Sequence, residues 1–310
     1  MISKKTALLN FREELAKNWR LYVLLFLPVT YFIVFKYAPM YGMILAFKKY
    51  NIAKGILGSE WVGLKYFKLF FKDYKFWIIV KNTFILSFYQ LFATIPIPII
   101  FALCLNYLRN KYVKKSIQMV TYAPHFISYV VLVGLVYLMF SPTTGIFTNF
   151  LKSIGIKDFD ILSNGKSFRH LYVFSEVWQN VGYRSIIYLS ALSTVDNSLH
   201  EAAVMDGASK FRRMISIDFP ALIPPAIVLL TLNAGRILNM SFEKILLMQN
   251  DINIGYSETI PTYVYKVGLK SAIPQFSYST AIGIFQSVVG IVLIYVVNAL
   301  SDKFAKNSLW

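Results

Sequence analysis

Six runs of mostly apolar residues alternate with more polar stretches along the chain, near 21–45, 80–105, 118–140, 170–192, 222–242 and 278–300. Each is long enough for a helix to cross a hydrocarbon layer, which takes roughly 20 apolar residues. The pattern predicts an all-α, polytopic membrane protein with six transmembrane helices and both termini on one side. Lys4, Lys5, Arg12, Lys17 and Arg20 precede the first run and favour a cytoplasmic N-terminus. Segments 1–20, 106–117, 193–221 and 301–310 then face the cytoplasm, while 46–79, 141–169 and 243–277 face outside. Basic residues divide evenly between the two sets, so the orientation rests on the shorter inner segments and on the cluster that abuts the first span. Lys36 and Pro39 stand where a signal peptide needs small residues, so the first run reads as a retained anchor.

Composition agrees with this pattern. Of 310 residues, 56% are hydrophobic and 15% charged, with a mean hydropathy of +0.53, against about 25% charged in an average globular protein. These values exclude a water-soluble fold, and 26 Phe with 21 Tyr exclude a disordered chain. The single cysteine, Cys104, rules out a disulfide framework, and His125, His170 and His200 lack the spacing of a metal site. A net charge of +17 in a soluble chain would suggest nucleic acid, but no such module is present. Beside apolar spans, the basic residues are read as contacts to anionic lipid headgroups.

Between residues 59 and 78, Lys65, Lys68, Lys72 and Lys75 fall on one helical face, and Leu64, Phe67, Phe70, Phe71 and Tyr74 on another. With Trp61 and Trp77 bracketing it, this is the pattern of a helix lying in the membrane interface; the competing reading is a solvated loop helix. Lys36 and Lys81 sit near span ends and are expected to snorkel to the surface.

Charges inside a span are costly unless they face protein or water. Glu176, Arg184 and Arg236 lie inside predicted spans. Glu176 and Arg236 fall at similar depth, which predicts a Glu176–Arg236 ion pair, either holding two helices together or serving passage. Further polar residues in the spans include Asn82, Tyr89, Gln90, Trp178, Gln179, Asn180, Tyr183, Asn233, Asn239 and Gln286. Amides beside aromatic faces suit a sugar, through hydrogen bonds to hydroxyls and flat surfaces for C–H faces. Of these, Tyr89, Gln90, Trp178, Gln179, Asn180, Tyr183 and Asn233 are the candidates for a substrate path, with interhelical glue as the alternative.

The segment EAAVMDGASKFRRMISIDFPALIPP, residues 201–225, is the most informative part of the chain. Asp196 or Ser198 can cap a short helix carrying Glu201, Ala202 and Ala203. The two alanines let a partner surface approach closely. Gly207 relaxes the backbone where one helix turns into another, and Pro220 and Pro224 suit the start of the next span. The result is a small, rigid knob between two membrane helices.

These residues resemble the EAA loop of binding-protein-dependent ABC importer permeases: Glu201, Ala202, Ala203, Asp206, Gly207, Ala208, Phe211, Pro220 and Pro224 stand at the family positions without a gap. Asn82-Thr83, Trp178 and Gly182 extend the likeness. YAPMYGMILAFKKY (37–50), WVGLKYF (61–67) and HFISYVVLVGL (125–135) are similar to the LplB-type carbohydrate permeases. The resemblance implies the type I importer (MetI-like) fold, with a cytoplasmic segment 1–20, a first helix 21–45, an outer loop 46–79, a five-helix core 80–300 that includes the coupling loop 196–224, and a tail 301–310. It also implies a second permease subunit, two cytoplasmic ATPase subunits and an external solute-binding protein, in the cell membrane. Residues 201–208 would be the coupling helix that docks in the ATPase, with Glu201 meeting a basic group there and Gly207 setting the bend. Arg212 and Arg213 lie outside the shared pattern.

A phosphate-binding Walker A loop would need a glycine five residues before Gly165, where the chain has Asp160. ATP and Mg are therefore assigned to the partner ATPase, with no cofactor and no catalytic constellation in this chain. The expected function is a non-catalytic permease subunit for an oligosaccharide or complex carbohydrate. The alternatives are an importer of a non-sugar solute and a membrane glycosyltransferase-like enzyme, for which Asp158 and Asp160 offer the one carboxylate pair.

Overall fold

The computed structural model describes residues 4–156, 160–162, 164–234, 238 and 241–305. Helix α1 (Lys4–Phe32) continues through tighter and wider helical turns, so that Lys17–Phe47 forms one span-length element, exposed along most of its length and buried at Ala46 near its end. Two short antiparallel strands follow, β1 (Lys48–Asn51) and β2 (Ser59–Trp61), with Lys48 opposite Trp61. Next comes α2 (Lys65–Lys72). Helices α3 (Phe76–Thr94) and α4 (Pro96–Asn106) form a second span-length element, Phe76–Asn106. A third and a fourth such element are Lys210–Asn233 and Phe276–Ala299.

The predicted span 118–140 is not one straight crossing. It divides into α5 (Lys111–Tyr122) and α6 (Tyr129–Phe140), and the helical pair bends by 107°. The cause lies in the sequence at the joint. Pro124 sits in a tight turn and Ser128 caps α6 by accepting a hydrogen bond from the Val131 N–H, so the chain restarts a helix in a new direction.

After a short α7 (Ile146–Ser153), α8 (Phe168–Ser193) runs 26 residues through the middle of the bundle. Gly182 permits its closest approach to α5, because a Cβ there would collide with the Thr121 carbonyl. The knob follows as α9 (Asn197–Met205) and α10 (Lys210–Arg213). A wide turn over Met214–Asp218 leads into α11 (Phe219–Ala234). Pro220, Pro224 and Pro225 therefore lie within a continuous helical stretch rather than at its start. Pro220 cannot donate to the carbonyl four residues earlier, which suits the wide turn immediately before it. The chain continues with α12 (Phe242–Met248), α13 (Ile260–Tyr265) and α14 (Phe276–Ala305).

Three apolar clusters hold the bundle. At the end carrying the knob, Ile99, Ala102 and Leu103 of α4 pack on Tyr188 and Leu192 of α8 and Leu222 of α11. In the middle, Leu86, Val133, Tyr172 and Ile245 join α3, α6, α8 and α12. At the far end, Phe70, Phe76, Ile260, Tyr263 and Tyr278 join α2, α3, α13 and α14. Phe70 thus faces protein rather than the membrane interface, because α2 folds back onto the start of the last span. Lys65, Lys68 and Lys72 remain exposed beside Leu64, Leu69 and Phe71, while Lys75 turns to Glu258 at 3.4 Å.

Candidate functional site

The knob is built by local chemistry. The Asp196 carboxylate accepts the Ser198 N–H at 2.9 Å and caps α9, and the Ser198 backbone and hydroxyl hold Asp196 below the usual carboxylate range. At the other end Gly207 has φ +74°. The Gly207 N–H donates to the Val204 carbonyl at 3.0 Å and the Ala208 N–H to the Ala203 carbonyl at 2.8 Å, the paired bonds of a Schellman stop, in which a left-handed residue closes the helix. Ser209 then caps α10. Gly207 thus stands at the left-handed turn between α9 and α10.

Most of the knob is open, with no side of the described chain covering it. Glu201, Ala202, Asp206 and Gly207 are exposed, Ala203 and Ala208 half-buried. Met205 is 88% exposed and Phe211 68%, with Leu199 and Val204 also exposed. Pro220 lies exposed at the head of α11. One side chain of α9 turns inward: His200 Nε2 stands 3.2 Å from Oδ1 of the fully buried Asp218.

A second polar site lies inside the bundle on α8. Glu176, 2% exposed, accepts hydrogen bonds at Oε1 from Arg184 Nη2 and Asn180 Nδ2, each at 3.0 Å, and at Oε2 from Lys244 Nζ at 3.2 Å. Lys244 is fully buried, donates also to the Tyr172 carbonyl at 3.1 Å, and stands 4.9 Å from the Tyr172 ring centre. The predicted partner Arg236 lies outside the described residues, as do Asn239 and Asp158. The observed partners of Glu176 are Lys244 and Arg184. Lys244 follows the fifth apolar run directly, at a depth that a chain re-entering the bundle can reach; its position just past the run placed it with the outer-loop cations.

The path candidates divide. Asn180 Oδ1 meets His125 Nδ1 at 2.7 Å, and the His125 ring stacks on Tyr183 with 3.8 Å between centres. The Gln179 amide donates to the Ile127 carbonyl at 2.7 Å. These residues, with Glu176, form one constellation. Tyr89 pairs with His170 Nδ1 at 2.9 Å, and Gln90 accepts from the Tyr172 hydroxyl at 3.2 Å, further along α3 and α8. Asn233 is exposed on α11 and donates to its own helix at Leu229. Trp178 is half-exposed and lines an apolar groove of about 560 Å³ with Phe174, Leu135 and His170. Two further polar ties link separate segments: Asn82 accepts from Arg169 Nη2 at 2.7 Å, and the Gln286 amide donates to the Leu238 carbonyl at 2.8 Å. The role of His125 had no sequence signal beyond its place in the motif 125–135, since a lone histidine carries no spacing pattern.

Comparison with known proteins agrees with this architecture. The family described as "binding-protein-dependent transport system inner membrane component" matches residues 94–307. Protein LplB of Bacillus subtilis (strain 168) is 39% identical over 302 residues, covering 97% of this chain and 94% of LplB. The polygalacturonan/rhamnogalacturonan transport system permease protein YteP of the same organism is 39% identical over 310 residues, covering 100% and 96%. A crystal structure of a bacterial ABC transporter involved in the import of the acidic polysaccharide alginate contains a chain with 33% identity and a TM-score of 0.88, covering 96% of this chain and 99% of that one. A further structure shows an alginate transporter with a pentasaccharide-bound periplasmic protein, at 34% identity and a TM-score of 0.87. With a bent α5–α6 pair, a capped and exposed knob between α8 and α11, and these relatives over nearly its whole length, the chain belongs to the family of binding-protein-dependent transport system inner membrane components.

Proposed function

We propose that this permease subunit forms, with a second permease subunit, the alternating-access path for an oligosaccharide or other complex carbohydrate handed over by an external solute-binding protein. A pair of cytoplasmic ATPase subunits, which bind ATP and Mg, drives the cycle through α9. The termini and the knob face the cytoplasm. The observation that carries this reading is the knob: a helix closed at both ends by capping, with Met205, Phe211, Ala202 and Glu201 open to a partner. The carbohydrate cargo is supported by the likeness to a polygalacturonan/rhamnogalacturonan permease and to an alginate importer.

Energy enters as a shift of population. ATPase closure has to favour one membrane conformation over the other by more than their resting difference, and a knob rigid at both ends passes that preference on without bending. Within the bundle, Trp178 and Tyr183 offer exposed rings for the C–H faces of sugar, with Tyr89 and His170 nearby as hydrogen-bonding groups. Asn180 holds the His125 ring that stacks on Tyr183, while Gln179 and Gln90 are engaged with the Ile127 carbonyl and the Tyr172 hydroxyl. The test is purification of the complex through a tag on this chain, followed by identification of co-purifying proteins and a glycan-binding screen on the external component. A second permease, an ATPase and a glycan-specific binding protein are expected. Recovery of a lone homo-oligomer would contradict the proposal.

A further inference from the structure

Asp218 is fully buried where the wide turn enters α11. Its Oδ2 accepts a 2.6 Å hydrogen bond from the Tyr107 hydroxyl at the end of α4. Its Oδ1 faces His200 Nε2 of the knob at 3.2 Å, and receives no aligned hydrogen bond. One carboxylate thus touches three elements: the end of α4, the head of α11 and the knob. A buried carboxylate is costly unless its oxygens are satisfied. His200 is therefore the group placed to satisfy Oδ1, close enough that a small rotation completes the bond.

Among the described residues, His200 is the one α9 side chain with a hydrogen bond or ion pair to a membrane helix. The rest of α9 is exposed or half-buried. Beside it lies an open cleft of about 340 Å³ lined by Asn106, Tyr107, Ser193, Asn197 and His200, so side-chain packing does not fill the space between knob and bundle. Without a polar tie, a force on the knob could swing α9 into this cleft about the Gly207 turn instead of moving the spans.

We propose that Tyr107, Asp218 and His200 form the joint that transmits movement of the knob into α4 and α11 together. All three are positioning residues. The proposal rests on the reading of α9 as the ATPase-coupling helix and adds where the force goes next.

The experiment uses the complete complex purified through this chain, with Cys104→Ser and spin labels at Met205→Cys on the knob and Leu108→Cys beyond α4, both on exposed side chains. Pulsed electron resonance reads their separation without nucleotide and after trapping with ATP and vanadate. With the joint intact, one narrow distance persists in both conditions, because knob and α4 move as a unit. In Asp218→Asn and, more mildly, Tyr107→Phe, a second distance emerges on trapping, its share rising about tenfold, as expected for loss of one charge-assisted hydrogen bond. Tyr107→Phe removes a single hydroxyl, so it remains informative should Asp218→Asn fail to assemble. A single unchanged distance in assembled Tyr107→Phe and Asp218→Asn complexes would overturn the joint. Failure of Met205→Cys to cross-link to the ATPase would instead overturn the coupling reading, so the two failures are distinguishable.

Discussion

Lys244 Nζ lies 3.2 Å from Glu176 Oε2, and neither side chain reaches the surface. Arg184 reaches the other oxygen of the same carboxylate from two turns further along α8. Removing one member of a buried pair costs about 3–5 kcal/mol where the other charge is stranded, a cost that Arg184 reduces here by keeping hold of Glu176, whereas replacing both by neutral groups of similar size is milder. Lys244→Met should sharply reduce the yield of assembled complex in size-exclusion chromatography, and Lys244→Met with Glu176→Gln should recover most of it. Equal loss in the single and double variants would show that Lys244 acts through its packing on Tyr172 instead.

Gly207→Ala places a Cβ at φ +74°. Open space surrounds the site, so the effect is backbone strain alone, about 1–2 kcal/mol. The variant should assemble but import more slowly, with Gly207→Asn closer to the native rate, because asparagine tolerates the left-handed region. Glu201→Arg combined with Gly207→Pro should abolish import in an assembled complex. Uptake assays in whole cells, with membrane abundance as the control, read both outcomes.

The long spans were legible because apolar runs of this length admit few alternatives, and the knob because capping and turn residues mark it at fixed offsets. Two features were not. The bend between α5 and α6 hides inside an apolar run, where hydropathy outweighs the signals from Pro124 and Ser128. Lys244, a partner of Glu176, gave no such signal because it stands just past the run that ends near residue 242, and sequence distance does not reveal a chain that folds back into the bundle. Phe70 likewise shares its periodicity with exposed apolar neighbours, and tertiary packing against Tyr278 and Phe285 separates it from them.

Gly182 marks where α8 meets the Thr121 carbonyl too closely for any Cβ. Gly182→Ala should force the two helices apart, an overpacking cost of about 1–3 kcal/mol. A lower unfolding midpoint of the purified complex is expected, while Gly134→Ala, which meets open space, should leave that midpoint unchanged.

At the far end of the bundle Asp73 Oδ2 accepts hydrogen bonds from Tyr263 at 2.7 Å and Tyr278 at 2.8 Å. Burial works against the ion, but these bonds, the Lys75 N–H and the Lys75 charge outweigh it and hold Asp73 below its ordinary value of 3.8. A depressed carboxylate pKa gives stability that is complete above the ordinary value and is lost as pH falls through the lowered one. Proteolytic resistance of residues 48–75 should therefore hold from neutral pH to about pH 4 and fall below it. Asp73→Asn should lower resistance at neutral pH and flatten that acid-dependent loss.

The most direct measurement is the location of Met205, whose side chain is 88% exposed at the tip of the knob. In a Cys104→Ser background, Met205→Cys should cross-link to the ATPase in the assembled complex and should resist a membrane-impermeant maleimide added outside intact cells. Labelling from outside, or a cross-link to the external binding protein, would contradict the assignment of this helix as the ATPase-driven hook.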